Sequence, residues 1–297
     1  MGTRDVTEAH FLHQRQGLEA VLRPPVPAPT ALVWLPGREE LLCGSREGAL
    51  HHVDPVLGTR VLATDLGEPA VIAVHPDRKR YLVLARDGTW TVGRIGVGVE
   101  SRGKHPFIAG MDGLWVGDFA VGVGDDLDGG RQLFVWHDGV EKGRLPLPPR
   151  AIALRGEGDK LLLVRSTEAG LEVVKFSTKG PRWSAADSTA HRLKACGPWV
   201  LGLTPTGAAI WSRDGGSPRS VRLPDLTAGD VHVDGASLGM GTKTGAVALA
   251  RVDRPDARAK PHLVKAYEHP VICASFSDRG RWLATGAEAL QLWTWED

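Results

Sequence analysis

Short apolar runs, each broken by a Gly, Pro or Asp turn and resumed at once, recur along the whole chain. They read LVWLPGREELLCG, VIAVHPDRKRYLVLA, GLWVGDFAVGV, AIALRGEGDKLLLV, RLKACGPWVLGL, VHVDGASLGMG and ICASFSDRGRWLATG. Within each, apolar residues alternate with polar ones or run unbroken, the patterns of half-buried and fully buried strands. The turns fall near Gly37, Asp77, Gly117, Gly156, Gly197, Gly235 and Asp278, a spacing of roughly 40 residues. Seven hairpins are therefore predicted.

Each hairpin is followed by a second, weaker pair of strands. A Gly turn near Gly48, Gly88, Gly130, Gly170, Gly207 and Gly245 leads into ALHHVD, TWTVGRI, QLFVWHD, LEVVKF, AAIWSR and AVALARV. In the last unit Ala287–Ala289 takes the place of the glycine, before LQLWTW. The fourth segments, RVLATD, VESRGK, EKGRLPL, RWSAA, SVRLP and HLVKAY, are more polar, as strands at a sheet edge should be.

Four strands repeated about every 40 residues is the period of a β-propeller. The predicted fold is all-β: a seven-bladed β-propeller of four-stranded antiparallel blades. A chain of 297 residues would ordinarily suggest about two domains, but the repeat makes residues 17–297 a single domain, with residues 1–16 as an N-terminal extension. The last unit ends at Trp293–Asp297 with nothing left to form its outer strand. Gly17–Arg23, GLEAVLR, has the length and composition to supply it, so the N-terminal strand is expected to complete the C-terminal blade and close the ring.

The passages Cys43–Thr59, CGSREGALHHVDPVLGT, and Ala284–Trp295, ATGAEALQLWTW, resemble the WD-repeat propellers. Gly44, Ser45, Glu47, Gly48 and Asp54 match that family's pattern, with Val53 where its tryptophan is usual. Glu268-His269 resembles the family's Gly-His pair and Trp293 its tryptophan, with Thr294 replacing the aspartate. The resemblance covers the chain from Gly17 onward and is that of a divergent member whose bracing side-chain tetrads are incomplete. It implies a protein-interaction scaffold of the kind that serves as a targeting subunit beside ATPases, proteases, kinases or defence effectors.

Charge and cysteine usage narrow the setting. With 36 Lys and Arg against 35 Asp and Glu, no global field would hold a polyanion or an anionic membrane. Cys43, Cys196 and Cys273 form no CxxC pair and sit in apolar runs, which fits core packing in a reducing compartment. The N-terminus MGTRDVTEAHFLHQRQ has no secretory h-region, and no apolar stretch approaches membrane-spanning length. A cytoplasmic location is expected, and the Ala, Gly and Arg usage suggests a bacterial source.

Candidate chemistry is sparse. Asp126, Asp128 and Gly129 have part of a calcium-loop spacing but lack the closing Glu. His51 and His52 are adjacent in a strand and point to opposite faces. His10 and His13 have no third ligand nearby, and GRIGVG at Gly93–Gly98 precedes no helix that would bind a phosphate. No nucleophile elbow is present, so no catalytic residue, metal or cofactor is assigned and the chain is read as a non-enzyme. Trp34, Trp136, Trp211, Trp282 and Trp293 recur at equivalent places and are expected to pack between blades; Trp183 and Trp199 are less regularly placed.

The expected function is a non-enzymatic protein–protein interaction scaffold or targeting subunit of a larger cytoplasmic assembly. Its candidate partner face gathers the turns before the third strands around the channel: Arg46, Glu47, Arg86, Asp87, Asp125, Asp126, Asp128, Glu168, Lys243 and Glu288. The rival readings are a nucleic-acid or phosphate binder through the basic patch Arg213, Arg219, Arg222, Arg254, Arg258 and Lys260, and a small-ligand binder or enzyme using the central channel. The segment before Gly17 carries Phe11 and Leu12 among polar residues and is expected to dock on its own disc.

Overall fold

The computed structural model describes residues 18–105, 107–126, 130–147, 152–157, 160–167, 170–175, 183–185, 190, 192–212, 218–252 and 261–295. Twenty-eight strands form seven four-stranded antiparallel sheets. The chain opens with β1 (Leu18–Leu22). Blade 1 follows as β2 (Pro29–Trp34), β3 (Leu41–Ser45), β4 (Leu50–Asp54) and β5 (Gly58–Ala63), and blade 2 as β6 (Pro69–Val74), β7 (Arg80–Ala85), β8 (Thr89–Arg94) and β9 (Gly98–Lys104). Blade 3 is β10 (Phe107–Val116), β11 (Phe119–Asp126), β12 (Arg131–His137) and β13 (Val140–Leu147). Blade 4 is β14 (Ile152–Glu157), β15 (Lys160–Thr167), β16 (Gly170–Lys175) and β17 (Trp183–Ala185). Blade 5 is β18 (Arg192–Cys196), β19 (Trp199–Thr204), β20 (Gly207–Ser212) and β21 (Arg219–Arg222). Blade 6 is β22 (Leu226–Val231), β23 (Ser237–Thr242), β24 (Ala246–Arg251) and β25 (His262–Lys265); blade 7 has β26 (Cys273–Phe276), β27 (Leu283–Gly286) and β28 (Leu290–Trp295).

Blade 7 takes its outer strand from the N-terminus, as the repeat requires. β1 pairs antiparallel with β28, Leu18 opposite Trp295 and Ala20 opposite Trp293. The strands of the other six blades fall where the turns predict, with one local difference. Gly156 lies inside β14, which runs on to Glu157, paired with Lys160 of β15. GRIGVG is the end of β8 and the turn into β9.

The apolar core is divided into seven clusters, one at each seam between adjacent blades. Leu42, Leu50 and Leu66 of blade 1 meet Ile72, Tyr81 and Val83 of blade 2. Leu82, Leu84 and Trp90 meet Phe134 and Trp136 at the next seam. The remaining seams follow the same plan round to Leu290 and Leu292 of blade 7, which pack on Trp34 and Leu41 of blade 1. Trp136, Trp211 and Trp293, at equivalent third-strand positions, are fully buried in three of these seams. Truncating one to Ala is expected to cost about 3–5 kcal/mol.

These three tryptophans differ in one detail that depends on a single cross-strand neighbour. Trp293 Nε1 donates to Thr285 Oγ1 at 2.7 Å. The Tyr267 hydroxyl donates to the Thr285 carbonyl at 2.8 Å and lies 2.7 Å from the same Oγ1, so the threonine hydroxyl donates back to Tyr267. Val200 pairs with Trp211 as Leu283 does with Trp293, which places Gly202 where Thr285 would be; Gly122 is placed likewise for Trp136. A Cβ at Gly202 would stand 2.8 Å from the Trp211 ring, and one at Gly122 3.1 Å from the Trp136 ring. Those indoles lie against bare backbone, and their N–H groups are buried without a partner.

Hydrogen bonds repeat across the seams as well. Trp34 Nε1 donates to the Ser275 carbonyl at 3.0 Å and Trp115 Nε1 to the Ala73 carbonyl at 3.3 Å, each tying one inner strand to the inner strand of the preceding blade. On the face bearing the first hairpin turns, His75 Nε2 meets the Gly117 carbonyl at 2.9 Å and His232 Nε2 the Gly280 carbonyl at 3.1 Å.

Thr285→Val keeps the shape of the side chain and removes the hydroxyl that serves both Trp293 and Tyr267. It is expected to lower stability by about 1–3 kcal/mol in urea titration. Gly202→Ala, which forces a methyl group into the Trp211 ring, is expected to destabilise by a similar about 1–3 kcal/mol.

Candidate functional site

The structure brings together only part of the partner face expected from the sequence. The turns bearing Arg46 and Glu47, Arg86 and Asp87, Lys243, and Glu288, together with Asp125 and Asp126 at the end of β11, all leave the same face, because each joins a second strand to a third. Asp128 and Glu168 lie outside the described residues. The ring so formed is wider than expected. It stands at mid-radius, and the channel rim on this face is made by the connections that enter the inner strands.

Most of these side chains brace their own turns. Asp87 accepts from the Thr89 N–H and hydroxyl at 3.0 Å each and from Lys104 Nζ at 3.1 Å. Asp125 takes a bidentate bond from Arg131 at 2.7 and 3.2 Å, Arg86 pairs with Glu68 at 3.0 Å, and Glu288 accepts the Glu268 N–H at 3.0 Å. Arg46, Glu47 and Lys243 remain exposed. Of the basic patch, Arg219 and Arg222 lie on β21. Arg219 is exposed, its guanidinium 5.6 Å from the Trp199 ring centroid and bonded to the Gly235 carbonyl. Arg213, Arg254, Arg258 and Lys260 lie outside the described residues.

The inner strands do converge charge on the channel, at residues the sequence pattern did not single out. Asp112 on β10 accepts the Gly113 N–H at 2.8 Å and, across the seam, the Leu154 N–H at 2.6 Å. Asp230 on β22 repeats this, accepting the Val231 N–H and reaching the Phe276 N–H at 2.9 Å and the Ser275 hydroxyl at 3.0 Å. Lys194 on β18 spans from blade 5 to both later blades, 3.2 Å from Asp230 Oδ2 and 3.2 Å from the Ala274 carbonyl. Its side chain is 41% exposed, but only to the channel, since the ring encloses it on every side.

Arg192, two residues earlier on the same strand face, bonds the Thr227 carbonyl at 2.9 Å. Burial pushes the Asp112 carboxyl up to about 6, against the pull of its two backbone N–H donors and of Lys194 and Arg192. Burial alone would lower the Lys194 ammonium, but the neighbouring Asp230 carboxylate raises it overall. Enclosure pushes Arg192 below the usual guanidinium value.

The thiols of Cys196 and Cys273 on these strands are raised by burial, Cys273 to about 12, which leaves them as weak nucleophiles. Of the three free cysteines, Cys43 alone is fully buried; the other two are half-buried. His51 and His52 point to opposite faces. His52 is held between Glu40 at 2.7 Å and Arg60 at 3.1 Å, whereas both nitrogens of His51 are buried without a partner and burial lowers its pKa. Among the described residues, no three His, Cys, Asp or Glu side chains converge in a metal-holding group.

A cleft of about 840 Å³ opens on the opposite face, among the first hairpin turns of blades 6, 7 and 1. In blade 7, β28 runs to Trp295 opposite Leu18 of β1. Trp295 and Thr294 line the cleft with Arg281, Trp282, Glu39 and Val56. His232, Phe276 and Trp295 stack edge to face in its floor, with centroids 5.3–5.5 Å apart. Arg38 pairs with Glu40 at 3.1 Å, and His232 Nδ1 lies 2.8 Å from Asp234, so much of the local charge is internally matched. Both carboxylate oxygens of Glu39, in contrast, are buried without a hydrogen-bond partner. Val56 at the rim is 89% exposed.

No protein-family model and no curated protein matches the chain. Among solved structures it is similar to the WD40 β-propeller domain of Doa1, with a TM-score of 0.71 over 95% of this chain and 98% of that one. The two are 9% identical, so what they share is the fold. The chain thus has the fold of a WD40 propeller, and hydrogen bonds link Trp293, Thr285 and Tyr267 in its seventh blade.

Asp112 makes a pH test of the channel cluster. A carboxyl held above its unfolded value binds its proton more tightly in the folded state, so its contribution is fully present at low pH and is lost as pH rises through about 6. Between roughly pH 4 and 6 the native chain should therefore lose stability relative to Asp112→Asn, on the order of 2 kcal/mol in paired urea titrations.

Proposed function

We propose that the chain is a non-enzymatic protein-interaction platform, a scaffold or targeting subunit of a larger cytoplasmic assembly, and that it engages its partner through the cleft between blades 7 and 1. The observation that carries this reading is the chemistry of the cleft. An aromatic floor, an exposed apolar rim at Val56 and an unmatched carboxylate at Glu39 lie together on rigid hairpin turns. Protein contacts favour such mixtures of aromatic anchors and polar rim, and a scaffold that fixes its loops binds at low entropic cost. The channel carboxylates speak against chemistry there, because backbone N–H groups and Lys194 already occupy their lone pairs. Three free cysteines fit a reducing compartment.

A small anion in the channel is the second reading, favoured by Arg192, which faces the enclosed solvent two residues from Lys194. Phosphate or a dicarboxylate titrated into the protein would then shift its melting temperature, and Arg192→Ala would abolish the shift.

The main reading is checked by affinity capture from the native cell with the full chain and two surface variants. Val56→Asp with Arg281→Glu alters the cleft; Arg46→Glu with Lys243→Glu alters the opposite face. A stoichiometric protein partner is expected with the wild type and the second variant, reduced at least tenfold with the first, a loss of about 1.4 kcal/mol or more. Capture that survives the cleft variant and fails with the other moves the site to the opposite face; no partner under mild salt rules out the platform.

A further inference from the structure

We infer that the channel binds the carboxylate group of a small organic acid through Arg192, and that its own floor excludes doubly charged anions such as sulfate. The inference rests on the small-anion reading of the channel and narrows it to one chemical class. It is independent of the cleft on the opposite face and of the segment before Gly17, which lies outside the described residues.

Arg192 is the first residue of β18, so it stands at the end of the channel where the inner strands begin, on the same face as the Arg86 turn. A guanidinium carries five N–H donors, and here one of them goes to the Thr227 carbonyl at 2.9 Å. Among the described residues no carboxylate lies within ion-pair distance of Arg192, and its other donors meet no acceptor. The side chain is exposed to the channel solvent although the ring surrounds it, and the Arg86 guanidinium of blade 2 adds like charge nearby. An enclosed cation without a counter-charge is costly, and an anion bound at the mouth offsets that cost.

The level below decides which anion. Two residues further in, about 7 Å along the strand, Lys194 reaches across to Asp230 of blade 6 and the Ala274 carbonyl of blade 7 and forms a floor. Asp112 bonds the blade after its own as Asp230 does, so it stands at the same level. Among the described residues the floor thus carries two carboxylates and one ammonium, and with Asp112 titrating at about 6 it is net negative at neutral pH. The Cys196 and Cys273 thiols, raised by burial, stay neutral beside it. A singly charged carboxylate fits between this floor and Arg192: its two oxygens accept parallel N–H bonds from the guanidinium fork while its organic end points to the mouth. A compact dianion would set its second charge against Asp112 and Asp230.

Saturation-transfer NMR of lactate with the full chain, at neutral pH and constant ionic strength, tests this. Saturable transfer to the lactate methyl group is expected, with a dissociation constant on the order of 1 mM, and acetate should displace lactate at least tenfold more effectively than sulfate does. Arg192→Gln should abolish the transfer. Asp112→Asn keeps an oxygen for the Leu154 N–H but removes the charge, so sulfate should then compete as well as acetate. Transfer that persists in Arg192→Gln overturns the inference, as does sulfate matching acetate on the wild type. The Arg192 Nε–H resonance of the wild type separates the two readings without any variant. If sulfate or phosphate shifts it and lactate does not, the small-anion reading stands and this one falls; if no anion shifts it, both fall.

Discussion

Everything in this molecule depends on sheets burying their faces against the next sheet. Among the described residues no blade owns a core: the seven apolar clusters all lie at seams, each drawing on both of the blades that meet there. A four-stranded sheet of this size would expose both faces if it stood alone, and the free energy that holds each one is the burial of Leu, Val and Trp against the adjacent blade. The hydrogen bonds that cross the seams, from Trp34, Trp115, His75 and the two inner-strand aspartates, set the angle and spacing of that packing more than its total strength.

This arrangement explains why the fold was legible in the sequence and the site much less so. The seams demand an apolar face at every strand and a turn at every strand end. Hairpins such as VIAVHPDRKRYLVLA therefore announce themselves by alternation, and the unfilled outer edge of β28 pointed to Gly17–Arg23. The channel cluster was invisible for the opposite reason. Asp112, Lys194 and Asp230 each sit singly among apolar residues in different repeats, and only the packing of neighbouring blades brings Lys194 to Asp230 and Asp112 to the Leu154 N–H. The turn residues lie on one face, and several of them brace their own turns. Asp87, Asp125 and Glu288 are the short acidic side chains that tight turns use to satisfy their own N–H groups and neighbours, and sequence type alone does not separate that role from recognition.

The repeated tryptophans show how far a propeller drifts while keeping its shape. At Trp293 the indole N–H, Thr285 and Tyr267 form a closed chain of bonds; at Trp136 and Trp211 a glycine faces the ring and the N–H goes unpaired. The glycine leaves room for the ring against the backbone. Nearly the same burial results from two different local solutions.

Closing the ring with strands from the two ends also orders events in time. Blades 1 to 6 are each built from local hairpins and can pack in turn on the blade before them, but β1 has no partner until β28 exists. Bringing Leu18 to Trp295 closes a loop of roughly 280 residues, which costs about 2 kcal/mol more in chain entropy than closing a single blade. During synthesis the first strand emerges early and waits as an open edge for the whole ring to be made. Premature pairing with another chain is the hazard of that interval, and the polar alternation of LEAVL, with Glu19 in the middle of a short strand, limits it by making β1 a poor partner for anything but the edge it was shaped to meet.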